Sequence, residues 1–179
     1  MGCANPSAII LQTERLTLRY QEAGDVPFLV DLWSDPEVTR YLGGPRDRAW
    51  LQSEFEAVAR DPRAEPYDLW PVTERETGQL VGNCGLLEKE VEGRTEIELI
   101  YILAPSAWGK GYATEIARGL KRYAFEVLGL ARLIALIQPD NAASECVTVK
   151  VGMRLEREIV RGGGHLRKLY VVEKEEACD

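Results

Sequence analysis

The segment from Ala104 to Glu115 places two glycines, Gly109 and Gly111, between a run typical of a β-strand and a run typical of a helix. A glycine turn that leads into a helix leaves several backbone N–H groups unpaired, and the helix dipole adds positive potential there. Residues 108 to 122 also carry four basic side chains against one acidic side chain. The turn is therefore a candidate phosphate-binding site, although the same spacing is also typical of a plain tight turn with a solvated helix face.

Two other phosphate-binding motifs fail on these residues. A P-loop needs Ser or Thr directly after its lysine, whereas Lys110 is followed by Gly111. A dinucleotide motif of the G-x-G-x-x-G type would begin at Gly109 and have Thr114 in place of its third glycine. The chain after this point is also too short for the rest of such a domain. A P-loop is excluded, and the dinucleotide interpretation is weak.

The chain has a single histidine, His165, which stands directly after three glycines. A single histidine excludes a metal site with several histidine ligands, and it leaves a serine or cysteine triad with one candidate base. Any catalysis should therefore depend on carboxylates. Glu96 and Glu98 lie on the strand-like run that leads to the glycine turn, and a two-residue period puts both on one face of that strand.

The chain has 179 residues with 29 acidic and 22 basic side chains, which gives a net charge of −7. This charge repels polyanions, so nucleic acid is not an expected partner. No apolar run approaches the roughly 20 residues that cross a membrane, so no membrane association is expected. The four cysteines have no C-x-x-C spacing, which suits a reduced compartment. We expect a cytoplasmic protein.

We expect a single domain over residues 1–179, frayed at about residues 1–8 and 174–179, because no linker interrupts the chain. Hydrophobic periodicity predicts an α/β protein of the mixed α+β kind, with about seven strands in a mostly antiparallel sheet and about four helices. Strands are predicted near 9–20, 67–74, 79–88, 95–103, 131–138, 153–161 and 166–173. Helices are predicted to begin near residues 25, 47, 113 and 141.

Two motifs connect this element order to a known family. WGKGYATE at 108–115 follows a strand, and QPDNAASECVTVKVGM follows at 138–153. This combination resembles the GNAT superfamily of acyl-CoA-dependent N-acetyltransferases. More narrowly, it is similar to the branch that acetylates the N-terminal amine of ribosomal proteins. TERLTLRY at 13–20 and SDPEVTRYL at 34–42 also agree with that branch, so the resemblance covers nearly the whole chain.

The resemblance implies a GNAT-like fold and acetyl-CoA as cofactor, with no metal. It implies that the backbone amides of roughly Gly109 to Thr114 hold the CoA pyrophosphate. It also implies that Ile102 and Leu103 offer main-chain bonds to the pantetheine arm and that Asn141 helps to hold the cofactor. The expected cofactor-binding residues are therefore Ile102, Leu103, Trp108, Gly109, Lys110, Gly111, Tyr112, Ala113, Thr114 and Asn141.

Acetyl transfer to an amine needs a base for the ammonium proton and a proton source for the departing thiolate. In the family, an EIGY segment often supplies a glutamate as base, and ELIY at 98–101 matches it except at Ile100. We expect Glu98 as the base; an exposed strand glutamate is the alternative. Thr148 stands where many members have a proton-donating tyrosine. In the ribosomal-protein branch a serine has this task, which indicates Ser144; a helix-capping serine is the alternative.

The acceptor is expected to be a primary amine, either a protein N-terminus or a small molecule, that receives the acetyl group by direct transfer. Residues 88 to 98 carry five glutamates against two basic residues, a pattern that could steer a cationic amine but is also typical of a solvated hairpin. The expected substrate-binding residues are Trp33, Tyr41 and Glu96. A CoA-binding module without turnover and a nucleotide-binding protein remain as alternatives, and the resemblance is compatible with a homodimer.

Overall fold

The computed structural model describes residues 9 to 174. The predicted fraying of residues 1–8 and 174–179 lies outside the described residues except at Lys174, whose N–H donates to the Ala131 carbonyl over 2.9 Å. The strands are β1 (Ile9–Gln12), β2 (Leu16–Arg19), β3 (Leu69–Glu74), β4 (Leu80–Val91), β5 (Arg94–Leu103), β6 (Arg132–Ile137), β7 (Arg154–Arg161) and β8 (His165–Glu173). The α-helices are α1 (Val26–Ser34), α2 (Arg48–Arg60), α3 (Tyr112–Arg122) and α4 (Ala142–Lys150).

All the strands join one sheet in the order β1-β2-β3-β4-β5-β6-β8-β7. Every neighbouring pair is antiparallel except β5 and β6, which run parallel. The predicted mixed fold with a mostly antiparallel sheet is confirmed. The described sheet has one strand more than predicted because the run from residue 9 to 20 turns back on itself, where the Thr13 N–H donates to the Leu16 carbonyl over 2.9 Å. Two short paired strands therefore replace one long strand.

A two-residue turn joins β4 to β5. Glu92 has a φ of 49° and Gly93 a φ of 81°, the left-handed pair that a tight hairpin between twisted strands requires. The turn lets the pairing continue to the last rung, Val91 with Arg94. The hairpin therefore extends further than the sequence pattern predicts and carries Lys89 beside β5.

One face of the sheet is covered by α3. Its apolar stripe, formed by Ile116, Ala117 and Leu120, is fully buried in the main hydrophobic core, as a 3.6-residue period requires. The helix continues through a π-helical turn at Tyr123–Val127 and ends at Gly129, whose φ of 69° permits the left-handed end. Packing of this stripe fixes the start of α3 against the carboxyl end of β5.

A gap opens between the two parallel strands. Their register joins only Glu98 on β5 to Ile134 on β6, although β5 continues to Leu103 and β6 to Ile137. From Glu98 onward the two strands diverge, and each then leads into a helix, α3 or α4. The carboxyl ends of β5 and β6 thus form the two sides of a V-shaped cleft.

Candidate active site

The cleft between β5 and β6 has a volume of about 500 Å³. Its wall includes the splayed strand ends, the start of α4, the segment after α1 and the tip of the β7–β8 hairpin. Predicted site residues from distant parts of the chain meet here. Those that line the cleft are Trp33, Tyr41, Glu98, Ile102, Asn141 and Ser144.

The backbone of β5 faces the gap at every second residue. The Ala104 N–H donates to the Val81 carbonyl over 2.9 Å, and the β4–β5 register continues from there without a bulge. Because antiparallel hydrogen-bonded pairs alternate, the backbone groups of Ile102 point to β4, whereas those of Tyr101 and Leu103 point into the gap. Trp108 Nε1 donates to the Leu103 carbonyl over 2.8 Å. Of the two predicted main-chain positions, the register thus favours Leu103, through its N–H.

The glycine turn follows the carboxyl end of β5 and does not itself line the cleft. Gly109 has a φ of 73° and Gly111 a φ of 79°, a left-handed conformation that favours glycine. Within residues 9 to 174, no acceptor is found for the backbone N–H groups of residues 109 to 114, and no side chain caps α3. The turn therefore presents a set of unpaired donors at the positive end of a buried helix, which is an anion site.

The remaining predicted cofactor residues surround this turn. Lys110 and Trp108 are exposed, and Tyr112 is buried with its hydroxyl donating to the Glu74 carboxylate. Ala113 and Thr114 form the first turn of α3 and contribute backbone N–H groups. Beside the turn, a second cavity of about 340 Å³ is lined by Arg15, Arg118 and Arg122 among others. The basic character expected from the sequence is therefore concentrated at this turn.

Arg15 holds the glycine turn in place, a role for which the sequence offers no local signal. Its Nη1 donates to the Lys110 carbonyl over 3.0 Å, and its Nε donates to Glu115 Oε2 over 2.7 Å. The guanidinium also lies 4.7 Å from the centre of the Tyr112 ring. On the same helix turn, Glu115 Oε1 accepts from the Thr13 hydroxyl over 2.6 Å. The bend between β1 and β2 thus positions the start of α3.

Replacing Arg15 by Gln should raise the KM for the ligand of the glycine turn about tenfold, because the variant loses a charge-assisted bond to the turn and a nearby positive charge. The kcat at saturation should change little. Steady-state kinetics measures both values. Arg48 pairs with Asp31 at an exposed site away from the turn, so Arg48→Gln is the matched control. An unchanged KM for Arg15→Gln would contradict the assignment.

Glu98 occupies the vertex of the cleft. Its Oε1 accepts a hydrogen bond from the Leu136 N–H over 3.3 Å, a donor on β6 that the divergence of the strands has freed. Burial raises the pKa of the Glu98 carboxyl above its ordinary range, although Lys89, the Leu136 N–H, Arg161 and Arg167 each act to lower it. A carboxylate with a raised pKa in a cleft is a suitable proton acceptor.

The structure does not bring Glu96 into the cleft lining. It lies two residues further back on the same strand, where β5 and β6 are close, and its Oε2 accepts from Arg132 Nε over 3.2 Å. Arg132 also binds Glu156 and Glu173, each over 2.6 Å. Glu96 thus belongs to an ion-pair cluster, while its sequence neighbour Glu98 faces the gap.

The start of α4 contributes Asn141 and Ser144. Asn141 Oδ1 caps the helix by accepting from the Ser144 N–H over 3.1 Å, which leaves the amide NH2 group of Asn141 for a ligand. The Ser144 carbonyl accepts from the Tyr101 hydroxyl over 3.0 Å, and burial raises the pKa of Tyr101 to about 12. Thr148 is fully buried and donates to helix carbonyls. The Ser144 hydroxyl is therefore better placed than Thr148 to meet a ligand.

Trp33 and Tyr41 form the wall opposite the strand ends. Trp33 Nε1 donates to the side chain of Asn83 over 3.0 Å, and the Arg46 guanidinium lies 5.1 Å from the centre of the Trp33 ring. The Tyr41 carbonyl accepts from Gln138 over 2.9 Å. These bonds connect the end of α1 to the sheet and the segment after α1 to the end of β6, so the wall has a fixed position.

The charge of the cleft differs from the local charge of the sequence. Its lining contains one described carboxylate, Glu98, together with four cationic side chains. The glutamates of the β4–β5 hairpin, Glu88, Glu90 and Glu92, are exposed and do not line the cleft. The acidic residues at 88 to 92 therefore belong to a solvated face. The cationic residues of the lining are Arg46, Lys89, Arg161 and Arg167.

Within residues 9 to 174, no helix is both long and apolar enough to cross a membrane. No group of three or more His, Cys, Asp or Glu residues in that range is arranged to hold a metal ion.

A family model for the acetyltransferase (GNAT) domain matches residues 15–154 of this chain. The chain belongs to the GNAT acetyltransferase family. The matched range contains the glycine turn, Glu98 and Ser144. Membership in the family confirms the expected fold and the general class of reaction, acetyl transfer. The narrower resemblance to the ribosomal-protein branch stays a prediction.

Three comparisons place this GNAT protein among its relatives. An uncharacterised N-acetyltransferase of Bacillus licheniformis is 32% identical over 174 residues, covering 90% of this chain and 93% of the relative. Spermidine N(1)-acetyltransferase of Escherichia coli (strain K12) is 26% identical over 149 residues, covering 80% and 75%. The crystal structure of a GNAT-family acetyltransferase from Bacillus anthracis has a TM-score of 0.77 at 26% identity, covering 92% of this chain and 98% of that one.

GNAT enzymes use acetyl-CoA, and the residues of this cleft fit that molecule. The unpaired N–H groups of the glycine turn suit a pyrophosphate. The Leu103 N–H faces the gap from the free edge of β5 and suits an amide-containing chain such as the pantetheine arm. The two features follow one another at the carboxyl end of β5, the strand that also carries Glu98. The GNAT fold and the donor groups of this chain thus agree.

Proposed function

We propose that this chain transfers the acetyl group of acetyl-CoA directly to a primary amine, on a protein N-terminus or a small molecule, in a ternary complex. One observation carries the proposal. The raised-pKa carboxylate of Glu98 lines the cleft beside β5, the register of β5 turns the Leu103 N–H away from β4 toward the gap, and the donors of the glycine turn follow the carboxyl end of the same strand. A base, an arm-binding strand edge and a phosphate site thus follow one another along β5 and the turn after it.

Each group of the cleft has a task in this reaction. Acetyl-CoA supplies the acetyl group as an activated thioester. The Glu98 carboxylate accepts the proton of the acceptor's ammonium group, directly or through a water molecule. The amine nitrogen then bonds to the acetyl carbon while the carbon–sulfur bond breaks. The Ser144 hydroxyl or a water molecule donates the proton that the sulfur needs, and the second proton that the nitrogen loses as the amide forms replaces it on the donor. Trp33 and Tyr41 line the acceptor side.

An assay of free thiol released from acetyl-CoA, run with a panel of amines, tests the proposal. We expect thiol release that depends on the amine, and a higher melting temperature with acetyl-CoA than with ATP or NAD. A CoA-binding module without turnover would give the thermal shift but no thiol. A nucleotide-binding protein would be stabilised by ATP or NAD and not by acetyl-CoA. Either result would overturn the proposal.

Replacing Ser144 by Ala should lower kcat roughly tenfold while the KM for acetyl-CoA changes little, because a proton donor acts on the transition state. Asn141 still caps α4 through the backbone N–H of residue 144. Tyr101→Phe is the matched control, since it removes a hydroxyl that already donates to the Ser144 carbonyl. If Ser144→Ala retains its kcat, water is the proton donor.

The proposal leaves two kinds of acceptor. The resemblance to the ribosomal-protein branch supports a protein N-terminus as acceptor, whereas the name of the Escherichia coli relative supports a small amine, spermidine. Location in the cytoplasm and assembly as a homodimer stay predictions. The charge of the cleft discriminates between these acceptors.

A further inference from the structure

The acceptor side of the cleft carries a set of cations that the proposed reaction does not use. Lys89 comes from β4, Arg161 from the end of β7 and Arg167 from β8. All three line the cleft together with Glu98. We call them the cationic wall. Because they come from three strands and meet at one place, the fold brings together charges that are far apart in the sequence.

The cationic wall has no carboxylate partners in the part of the chain that the structure describes. Arg161 Nη1 donates to the Glu90 carbonyl over 3.1 Å, and Arg167 Nη1 donates to the Leu166 carbonyl over 2.8 Å. Lys89 forms no ion pair in that range. Glu98 lies close enough for all three to affect its pKa, but none forms an ion pair with it. The wall therefore retains its positive charge.

Other arginines of the same sheet show the contrast. Arg132 binds Glu96, Glu156 and Glu173, and Arg157 binds Glu92 over 2.7 Å. In a chain with a net charge of −7, carboxylates are abundant, and Arg132 and Arg157 each have one. Cations left without a carboxylate beside a ligand cleft are typical of a site for an anionic group.

We propose that the acceptor is a small primary amine that also carries a carboxylate or phosphate, which the cationic wall of Lys89, Arg161 and Arg167 binds while the amine meets Glu98. This inference rests on the proposed acetyl transfer and names its substrate class. The bond changes are those given above, with the new N–C bond formed at the amine of the anionic acceptor. The anionic group itself does not react.

The wall also favours the reactive form of the amine. Nearby positive charges disfavour an ammonium ion and lower its pKa, so the neutral nucleophile is more populated beside Lys89, Arg161 and Arg167. An anionic group on the acceptor compensates for the repulsion of the ammonium form during binding. A polyamine such as spermidine has several positive charges and no anion, and it would meet a lining of four cations and one carboxylate. The wall therefore selects against it.

Matched amine pairs test the inference by thiol release. The first pair is glutamate and glutamine α-amide, which differ in their carboxylates, and the second is glucosamine 6-phosphate and glucosamine. Spermidine and a short neutral peptide complete the panel. We expect the anionic member of at least one pair to have a kcat/KM about tenfold or more above its neutral partner. The pair with the larger difference in kcat/KM shows whether the wall binds a carboxylate or a phosphate. The inference would be overturned if kcat/KM for spermidine, for the peptide or for both neutral members exceeded that of the anionic members.

A binding measurement separates this inference from the proposed reaction. Glu98→Gln protein saturated with CoA is titrated with each amine by calorimetry, so that the glycine turn is filled and no turnover occurs. Tighter binding of the anionic members supports the cationic wall even if no amine releases thiol, a result that would contradict only the proposed reaction. Equal or weaker binding of the anionic members overturns the inference, whatever the activity.

Variants of the wall give a second test. Lys89→Gln, Arg161→Gln and Arg167→Gln should each lower kcat/KM for the anionic amine about tenfold and leave its neutral partner nearly unchanged. Arg157→Gln is the matched control, because Arg157 lies on β7 near Arg161 but outside the cleft. Charge reversal by Lys89→Glu should shift the preference toward spermidine. Equal losses for both members of a pair would overturn the assignment.

Discussion

Glu98→Gln lowers kcat by about 100-fold or more, because the amide cannot accept the proton of the ammonium group and general-base catalysis is lost. The KM for acetyl-CoA stays nearly constant, since the glycine turn and the edge of β5 are unchanged. Steady-state kinetics with a competent amine measures both values. Glu88 is an exposed glutamate of the same hairpin outside the cleft, and Glu88→Gln retains full activity.

The pH profile gives the same variant a second readout. A base acts when it is deprotonated, and burial raises the pKa of Glu98. In the wild type, kcat/KM therefore falls as the pH drops through this raised pKa, at higher pH than an ordinary carboxyl near 4.3 would produce. In Glu98→Gln this limb is absent. If Glu98→Gln retained the wild-type kcat across pH 6 to 9, this result would contradict the role of Glu98 as base.

The stability of Glu98→Gln against unfolding should change in the opposite direction to its activity. A carboxyl whose pKa is raised by folding contributes most to stability below its unfolded pKa, and this contribution is lost as the pH rises through the folded pKa. Gln carries no charge to desolvate. Glu98→Gln should therefore be at least as stable as the wild type at pH 8, with the difference shrinking toward acidic pH. Thermal unfolding at several pH values measures this, and it shows that lost activity is not lost folding.

Gly111→Val should raise the Kd for acetyl-CoA about 100-fold or more. Gly111 has a φ of 79°, which a β-branched residue rarely adopts. Its side chain would also stand among the unpaired N–H groups that the pyrophosphate needs, with the new Cβ 3.6 Å from Arg15 Nη2. Calorimetric titration measures the affinity.

Gly129 provides the matched control for the glycine turn. It has a φ of 69° at the end of the helical segment, and a Cβ there would meet nothing within 4 Å. Gly129→Val should cost a similar strain, about 1–2 kcal/mol, and keep its affinity for acetyl-CoA. If both variants bind equally well, the glycine turn does not hold the cofactor. Gly111→Ala extends the test should the valine variant fail to fold.

The sequence could predict most elements because their signals are local. Glycine and proline mark the ends of α3, β5 and the hairpins, and the apolar stripe of α3 follows from its period. The bend at Thr13 could not be predicted in this way, because apolar residues alternate on both sides of it. The turn depends on hydrogen bonds between Thr13, Leu16 and Glu115, which join parts of the chain about a hundred positions apart.

The site was harder to predict than the fold. Period two correctly put Glu96 and Glu98 on one strand, but the point at which β5 leaves β6 decides which of them faces a cleft, and that point depends on long-range pairing. The sign of the cleft charge was missed for a similar reason. Period two alone could have shown that Lys89 faces away from Glu88 and Glu90, whereas its meeting with Arg161 and Arg167 depends on the order of strands in the sheet.

The two sides of the cleft come from different parts of the chain. The glycine turn and the edge of β5 form the proposed site of the acetyl donor, whereas the tip of the β7–β8 hairpin supplies Arg161 and Arg167 and lies beyond the matched domain range, 15–154. Exchange of this hairpin would therefore change which amine is chosen without disturbing how the donor is held. In such an architecture, donor use and acceptor choice can evolve, or be engineered, as separate modules.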